Sequence, residues 1–178
     1  MHMNETLNNN GYDYVDLGLP SGTLWATMNV GANRPSDYGL YFQWGSDSNF
    51  SKYNTAGDTL DLEDDAAHIH MGGDWHMPTP TQIRELINET DNIWTTQDGI
   101  NGRLFTSKTD TSKSIFIPAA GSAWDGSLSG SGDYGYVWSS MLRSSYVRYG
   151  QGLYFGSDDA GLYYGSRYSG FSVRGVLG

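Results

Sequence analysis

The chain has 178 residues, enough for one compact domain, and carries a net charge of −10 with only 17% charged residues. No apolar run approaches the roughly 20 residues of a membrane-spanning helix. The Gly- and Tyr-rich composition is unlike that of a helical bundle, and an aromatic content of 14% argues against disorder. An acidic chain repels phosphate backbones, so nucleic acid is not an expected partner, and the lack of cysteine removes disulfides, thiolate zinc sites and Cys nucleophiles.

Residues 1–12 read as a polar, frayed leader, with Met1-His2-Met3 resembling a cloning scar and no apolar segment of a secretory signal. Tyr14 to Leu19 and Leu24 to Val30 each alternate and flank the turn signal Pro20-Ser21-Gly22, which predicts a hairpin. Gly39 to Gly45 reads as a short strand with Leu40, Phe42 and Trp44 on one face. Residues 46–67 are acidic and turn-rich and read as a surface excursion. A helix is predicted from Thr79 as N-cap, with Pro80 at its first position, Gln82 completing a capping box, and Ile83, Leu86 and Ile87 on one face, ending near Glu89. Strands follow around Arg103–Thr106 and Ser114–Pro118. Beyond the Gly/Ser-rich turns of 121–132 come short β pieces at Tyr136–Ser140, Tyr146–Tyr149, Leu153–Phe155 and Phe171–Val176. The run from Tyr163 to Ser169 lacks alternation and reads as a loop.

Charge and composition divide the chain. Up to Lys113 there are 16 acids and 6 bases, whereas the remainder is neutral, with 4 Asp and 4 Arg. From Ser114 onward there is no Lys, Glu, Asn or His, and 8 of the 13 Tyr fall there with 13 Gly and 13 Ser. Tyr offers a large, rigid, amphipathic contact surface, and Ser and Gly offer adaptable small contacts, a mixture typical of antibody-like binding surfaces. An ordinary Gly/Ser/Tyr-rich β tail has the same composition.

Several motifs are specific in combination. They are Tyr14-Val15-Asp16-Leu17-Gly18-Leu19-Pro20-Ser21-Gly22-Thr23-Leu24-Trp25-Ala26, Asn29-Val30-Gly31-Ala32 and Gly39-Leu40-Tyr41-Phe42-Gln43-Trp44-Gly45 in the first part. Later come Asp65-Ala66-Ala67-His68, Gly72-Gly73-Asp74-Trp75-His76-Met77-Pro78-Thr79, Ile117-Pro118-Ala119-Ala120-Gly121, Trp138-Ser139-Ser140 and Gly170-Phe171-Ser172-Val173-Arg174-Gly175-Val176. In this order they resemble the major paralogous domain first noted in Fibrobacter succinogenes and abundant in gut Bacteroidales. That domain is a branch of the C-type lectin-like fold in the formylglycine-generating-enzyme subgroup. His76 departs from the family's usual Arg, and Gly175 from its usual Pro. The resemblance implies an α+β domain over 13–178, with small antiparallel sheets, one or two helices and long loops. As large apolar bodies with one N–H each, Trp25, Trp44, Trp75 and Trp138 are expected to be core pillars, and Arg174 on a C-terminal strand is expected to pair with an acid inside the domain.

The tail also resembles the variable proteins of diversity-generating retroelements, whose C-terminal segment is rewritten at template adenines. Asn codons there yield Tyr, Ser, Gly, Asp, Arg and His, but never Lys, Glu, Gln, Met or Trp. The pattern is sharpest at Tyr163-Tyr164-Gly165-Ser166-Arg167-Tyr168-Ser169. The candidate ligand-binding residues within 134–169 are Tyr134, Tyr136, Arg143, Tyr146, Arg148, Gly152, Tyr154, Gly156, Tyr163, Tyr164, Gly165, Ser166, Tyr168 and Ser169. Gln151 does not fit the rule. Tyr146, Arg148, Tyr154, Tyr163, Tyr164, Tyr168 and Ser169 are expected on a single solvent-facing patch.

No catalytic residues and no cofactor are expected. Formylglycine-generating chemistry uses cysteines with copper, and this chain has no cysteine; Gly130-Ser131-Gly132 and Gly156-Ser157 read as turns rather than nucleophile elbows. Imidazoles at His68, His70 and His76 suit zinc or copper, but they flank a turn or sit at family-typical structural positions, so no metal is expected there. The calcium motifs of sugar-binding C-type lectins are missing. Asp58, Asp61, Glu63, Asp64 and Asp65 lack the spacing of an EF-hand loop. The expected function is therefore calcium-independent binding of a cell-surface protein or glycan by a hypervariable face, without membrane insertion, at an extracellular, cell-surface or phage-virion location. The alternatives are an undiversified structural or adhesive module of a surface or virion assembly, and an enzyme accessory domain.

Overall fold

The structure, a computed structural model, describes residues 7–46 and 52–178. Its strands are β1 (Leu7–Asn9), β2 (Tyr12–Val15), β3 (Leu24–Asn29), β4 (Thr90–Gln97), β5 (Ile100–Ser107), β6 (Ser114–Pro118), β7 (Ser122–Trp124), β8 (Ser127–Ser129), β9 (Gly135–Leu142), β10 (Tyr149–Phe155), β11 (Ala160–Ser166) and β12 (Arg174–Leu177). Two α-helices, α1 (Ala66–Met71) and α2 (Pro80–Asn88), lie between β3 and β4. The strands form small antiparallel sheets ordered β1-β2-β3-β12, β11-β10-β9, β4-β5-β6 and β7-β8. This is the α+β arrangement of small sheets and few helices expected from the sequence.

The last strand closes on an early one: Arg174 lies opposite Asn29, and Val176 opposite Trp25. Alternation then sends side chains of this sheet into two different cores. Trp25 and Val176 join Leu17, Ile83, Leu86, Phe105, Leu153 and Phe155. Ala26 and Leu177 join Trp44, Trp75, Trp138, Phe171 and Val173 on the other side. All four expected pillars, Trp25, Trp44, Trp75 and Trp138, are fully buried. Three of their indole N–H groups donate to backbone carbonyls: Trp44 to Ser139 O at 2.9 Å, Trp75 to Asn9 O at 3.0 Å and Trp138 to Phe42 O at 2.6 Å.

Helix α2 starts as its sequence predicts. Thr79 Oγ1 accepts from Gln82 N at 3.1 Å, and Gln82 Oε1 accepts from Thr79 N at 2.9 Å. Its C-cap is Glu89. Ile83 and Leu86 are fully buried, and the helix covers one face of the β9-β10-β11 sheet.

Several local expectations are corrected. Of the leader expected over 1–12, residues 1–6 lie outside the described residues, and residues 7–12 are not frayed: β1 pairs with β2 across an Asn10-Gly11 turn with both φ values positive, 52° and 87°. Gly39 to Gly45 forms no strand. It contributes an isolated bridge between Phe42 and Phe171 and a 3₁₀ turn at Trp44–Ser46, with Leu40 exposed. Tyr146 to Val147 belongs to the loop between β9 and β10, whereas the run from Tyr163 to Ser166 is part of strand β11. Among the described residues, Arg174 pairs with no acid. It is fully buried and donates to Asn29 Oδ1 at 2.9 Å, Ala26 O at 3.0 Å and Phe116 O at 2.9 Å, tying β12, β3 and β6 together. Burial pushes its guanidinium down to about 9, so it remains a cation at neutral pH, held by oxygen dipoles.

Candidate functional site

The site is built on the β9-β10-β11 sheet. Its register places Tyr154 opposite Tyr136 on one side and Gly161 on the other, with Gly152 opposite both Trp138 and Tyr163. Tyr136, Trp138, Gly152, Tyr154, Tyr163 and Gly165 therefore share a face, while Val137, Leu153, Phe155 and Leu162 turn toward α2.

On the shared face the rings form a layered stack. Phe171 lies on Trp138 with centroids 4.1 Å apart, and Tyr136 lies on Phe171 at 4.7 Å. Tyr154 and Tyr163 pack on Tyr136 at 5.6 and 5.3 Å, and Tyr134 stacks on Tyr154 at 6.0 Å. Exposure grows outward: Trp138 and Phe171 are buried, Tyr136 and Tyr154 are half-buried, and Tyr134 and Tyr163 are exposed. Desolvation, aided by neighbouring tyrosines, raises the pKa of Tyr136. Desolvation and then the charge of Asp159 raise that of Tyr154. Both hydroxyls thus stay protonated and able to donate well into the alkaline range.

The three glycines of the candidate set, Gly152, Gly156 and Gly165, are buried. A Cβ on Gly152 would lie 2.6 Å from Val137 O, and one on Gly165 would lie 2.6 Å from the Phe171 ring. Both are buried: β9 backbone lies where the side chain of Gly152 would be, and the Phe171 and Trp138 rings lie where that of Gly165 would be. Gly156 is also buried, and its carbonyl accepts from Arg103 Nη1 at 3.0 Å. Gln151, which did not fit the substitution pattern, is buried at a register shift, with Nε2 donating to Leu142 O at 2.8 Å. Arg167 is buried as well, donating to Tyr53 O at 2.6 Å and Val147 O at 3.1 Å and lying over the Trp44 ring.

The single patch expected from the sequence is divided. Because β11 is a strand, Tyr163 and Tyr164 point to opposite faces. Tyr164 instead meets the loop between β9 and β10: the Arg143 guanidinium lies over the Tyr164 ring at 4.3 Å and over the Tyr146 ring at 4.8 Å. Tyr146 contacts Tyr149 at 6.3 Å, and Arg148 is exposed on the same loop. Ser166 and Ser169 form a tight turn, with Ser169 N donating to Ser166 O at 2.9 Å. Tyr168 on that turn lines a recess of about 320 Å³ with Gln43, Trp124 and Asp125. Tyr149 and Trp124, absent from the candidate set, are exposed neighbours of these groups. Tyr149 shares the Tyr-rich composition, but Trp124 lies outside 134–169 and only the β7-β8 hairpin carries it there.

His68, His70 and His76 do not converge. His68 Nδ1 lies 3.0 Å from Trp75 O, His76 Nδ1 lies 2.7 Å from Met77 O, and the His70 ring packs edge-on against Phe42. Among the described residues, the group with metal-ligand spacing is Asp61, Glu63 and Asp64. Lys52 Nζ already sits among these carboxylates, at 3.4 Å from Asp61, 2.5 Å from Glu63 and 2.6 Å from Asp64. Hydrogen bonds from Lys52 and Tyr53 hold the Asp64 carboxyl below its ordinary range. Asp65 is buried and caps α1, accepting from His68 N at 3.0 Å and Met77 N at 2.8 Å. Each of these acids therefore has a structural partner.

Comparison with protein-family models, with curated proteins and with solved structures finds no match to this chain. Among the described residues, no helix is long and apolar enough to cross a membrane.

Proposed function

We infer that this chain is a calcium-independent ligand-binding domain of the C-type lectin-like class, similar to the Fibrobacter major paralogous domain and diversified in its tail by a retroelement. The ligand is a protein or glycan on a cell surface, and the domain is displayed on a cell or virion. The observation that carries the reading is the layered stack from buried Trp138 and Phe171 to exposed Tyr134 and Tyr163. A contiguous group of half-exposed tyrosines on a rigid sheet has the composition and placement of an interaction surface. The fixed layer below it carries the stability, so outer residues can change without disturbing the core. The small antiparallel sheets, two helices and long connections agree with the architecture that the resemblance implies.

The test is binding of the fluorescently labelled domain to a panel of gut bacterial and epithelial cells. Replacing Tyr134, Tyr154 and Tyr163 together by Ser is expected to abolish the parent's binding while the folded circular-dichroism spectrum is kept. Undiminished binding by the triple variant would overturn the reading. The diversification itself is tested at the gene. A near-identical repeat of its 3′ end, differing only at adenines beside a reverse transcriptase, supports it, and the absence of both overturns it.

A further inference from the structure

The loop between β9 and β10 carries two arginines, Arg143 and Arg148. Arg143 packs its guanidinium over the rings of both Tyr146 and Tyr164. Such stacking occupies the faces of the guanidinium and leaves its N–H edges to donate. Among the described residues, neither Arg143 nor Arg148 has a carboxylate or a hydrogen-bond acceptor for its side chain. The contrast with the other arginines of the tail is sharp: Arg167 and Arg174 are buried and donate to backbone carbonyls. From Tyr134 to Ser157 the sequence holds these two arginines and no acid, within a chain of net charge −10. In a strongly acidic protein, two arginines without a carboxylate partner on one loop give that loop local complementarity to anions.

The loop is also held in place. Arg143 N donates to Tyr149 O at 2.9 Å, Gly57 N to Arg143 O at 3.2 Å and Arg167 N to Arg148 O at 3.0 Å. Arg167 Nη1 donates to Val147 O at 3.1 Å. Its backbone is thus pinned to the buried Arg167 while Tyr146, Arg148 and Tyr149 stay exposed, and a preorganised contact loses less entropy on binding.

We propose that Arg143, packed against Tyr146 and Tyr164, is a carboxylate-binding anchor for an acidic segment of a protein ligand. This rests on the reading of the tail as a ligand-binding region and names the chemistry of one part of it. A carboxylate accepts two parallel N–H bonds from a guanidinium edge, and Arg148, five residues along the same loop, offers a second cation. A protein is favoured over a sugar because the group stands on an exposed loop rather than in the concave recess that small ligands occupy, and because exposed Tyr and Arg together are the residues that dominate protein–protein contacts.

The test uses the full chain and, as probe, hexaglutamate with blocked termini, followed by NMR of the arginine side-chain N–H groups and the tyrosine rings. Hexaglutamine and trigalacturonate are the controls. The expected result is a saturable shift at Arg143 Nε–H and the Tyr146 ring with hexaglutamate and none with hexaglutamine. Affinity should fall at least tenfold in Arg143→Gln and also in Arg143→Lys, since an ammonium keeps the charge but loses the planar fork. Tyr146→Leu, which keeps an apolar contact but removes the aromatic face, should weaken binding severalfold. The proposal is overturned if Arg143 does not shift, if hexaglutamine shifts it equally, or if Arg143→Lys binds as the parent does. Tighter binding of trigalacturonate would assign the anchor to an acidic glycan and overturn the protein assignment. Failure here leaves the binding of cells by the Tyr134, Tyr154 and Tyr163 face untouched, because that is read with different residues and a different probe.

Discussion

Phe171 lies flat on Trp138, with ring centroids 4.1 Å apart and planes at 27°. Phe171 reaches this place because its backbone bridges Phe42, with N to O distances of 3.0 and 2.8 Å, and Trp138 donates to the same Phe42 carbonyl. The pair joins the buried core to the outer tyrosines, so its loss should be felt in both.

Phe171→Ala and Trp138→Ala should each destabilise the domain by about 3–5 kcal/mol, the usual cost of truncating a buried aromatic. By contrast, Tyr146→Ser and Tyr164→Ser, at exposed positions, should stay within about 0.5 kcal/mol. Urea denaturation of the four variants decides this. Core variants as stable as the parent would show that the stack is not what supports the tyrosine face.

The glycines make a second contrast. Gly152→Ala places a methyl group 2.6 Å from the Val137 carbonyl oxygen, which is backbone and cannot move aside cheaply. A loss of about 1–3 kcal/mol is expected, as for overpacking elsewhere. Gly161→Ala, on the same sheet face with open space around its Cβ, should be neutral or stabilising by up to about 1 kcal/mol. Thermal melts of the two variants should therefore move in opposite directions or differ clearly in size.

Alkaline pH should expose the Tyr53–Asp64 hydrogen bond. Desolvation, and then this bond, push the Tyr53 hydroxyl up to about 12 from an ordinary 10.0. A folded-state value above the unfolded one means that the stabilisation is complete below pH 10.0 and is lost as pH rises through about 12. Arg174 acts the other way: its value is depressed by burial, so stability rises with pH above about 9 for that group. The Tyr53 contribution is isolated by comparison with Tyr53→Phe. The stability difference between parent and variant should be flat from neutral pH to about 10 and shrink above it. A difference that is constant up to pH 11.5, an upper test point about half a unit below the folded-state value, would refute this.

Chelation should leave the melting temperature unchanged. Lys52 already occupies the position among Asp61, Glu63 and Asp64 where a cation would bind. A ligand that binds only the native state raises its melting temperature, so a fall of several degrees with EDTA would reveal a required ion.

How much was legible in the sequence depends on whether its cause was local. The Thr79, Pro80 and Gln82 cap of α2 is a three-residue geometry, and the helix starts where it indicates. The burial of Trp25, Trp44, Trp75 and Trp138 follows from their large apolar bodies. Three hairpin turns were equally local: Asn10-Gly11, Asp98-Gly99 and Asp125-Gly126 all take positive φ at both residues, the signature of tight turns between strands. The first of them joins β1 to β2, but the polar composition around it reads as a frayed leader instead.

The arrangement of the tail was not legible, because it depends on partners distant in sequence. Tyr163 to Ser166 carries no alternation of its own, since Gly165 packs under Phe171 and Tyr164 over Arg143. Only pairing with β10 makes it a strand, and that pairing alone sends Tyr163 and Tyr164 to opposite faces. Arg174 was likewise undecidable from its own segment: its partners Ala26, Asn29 and Phe116 come from two other strands. The sequence by itself determined which residues were rigid aromatics, which were small, and where charge was sparse. Tertiary packing decided which of those aromatics reach solvent together, because a side chain's direction is set by the strand register, and register is a property of two segments at once.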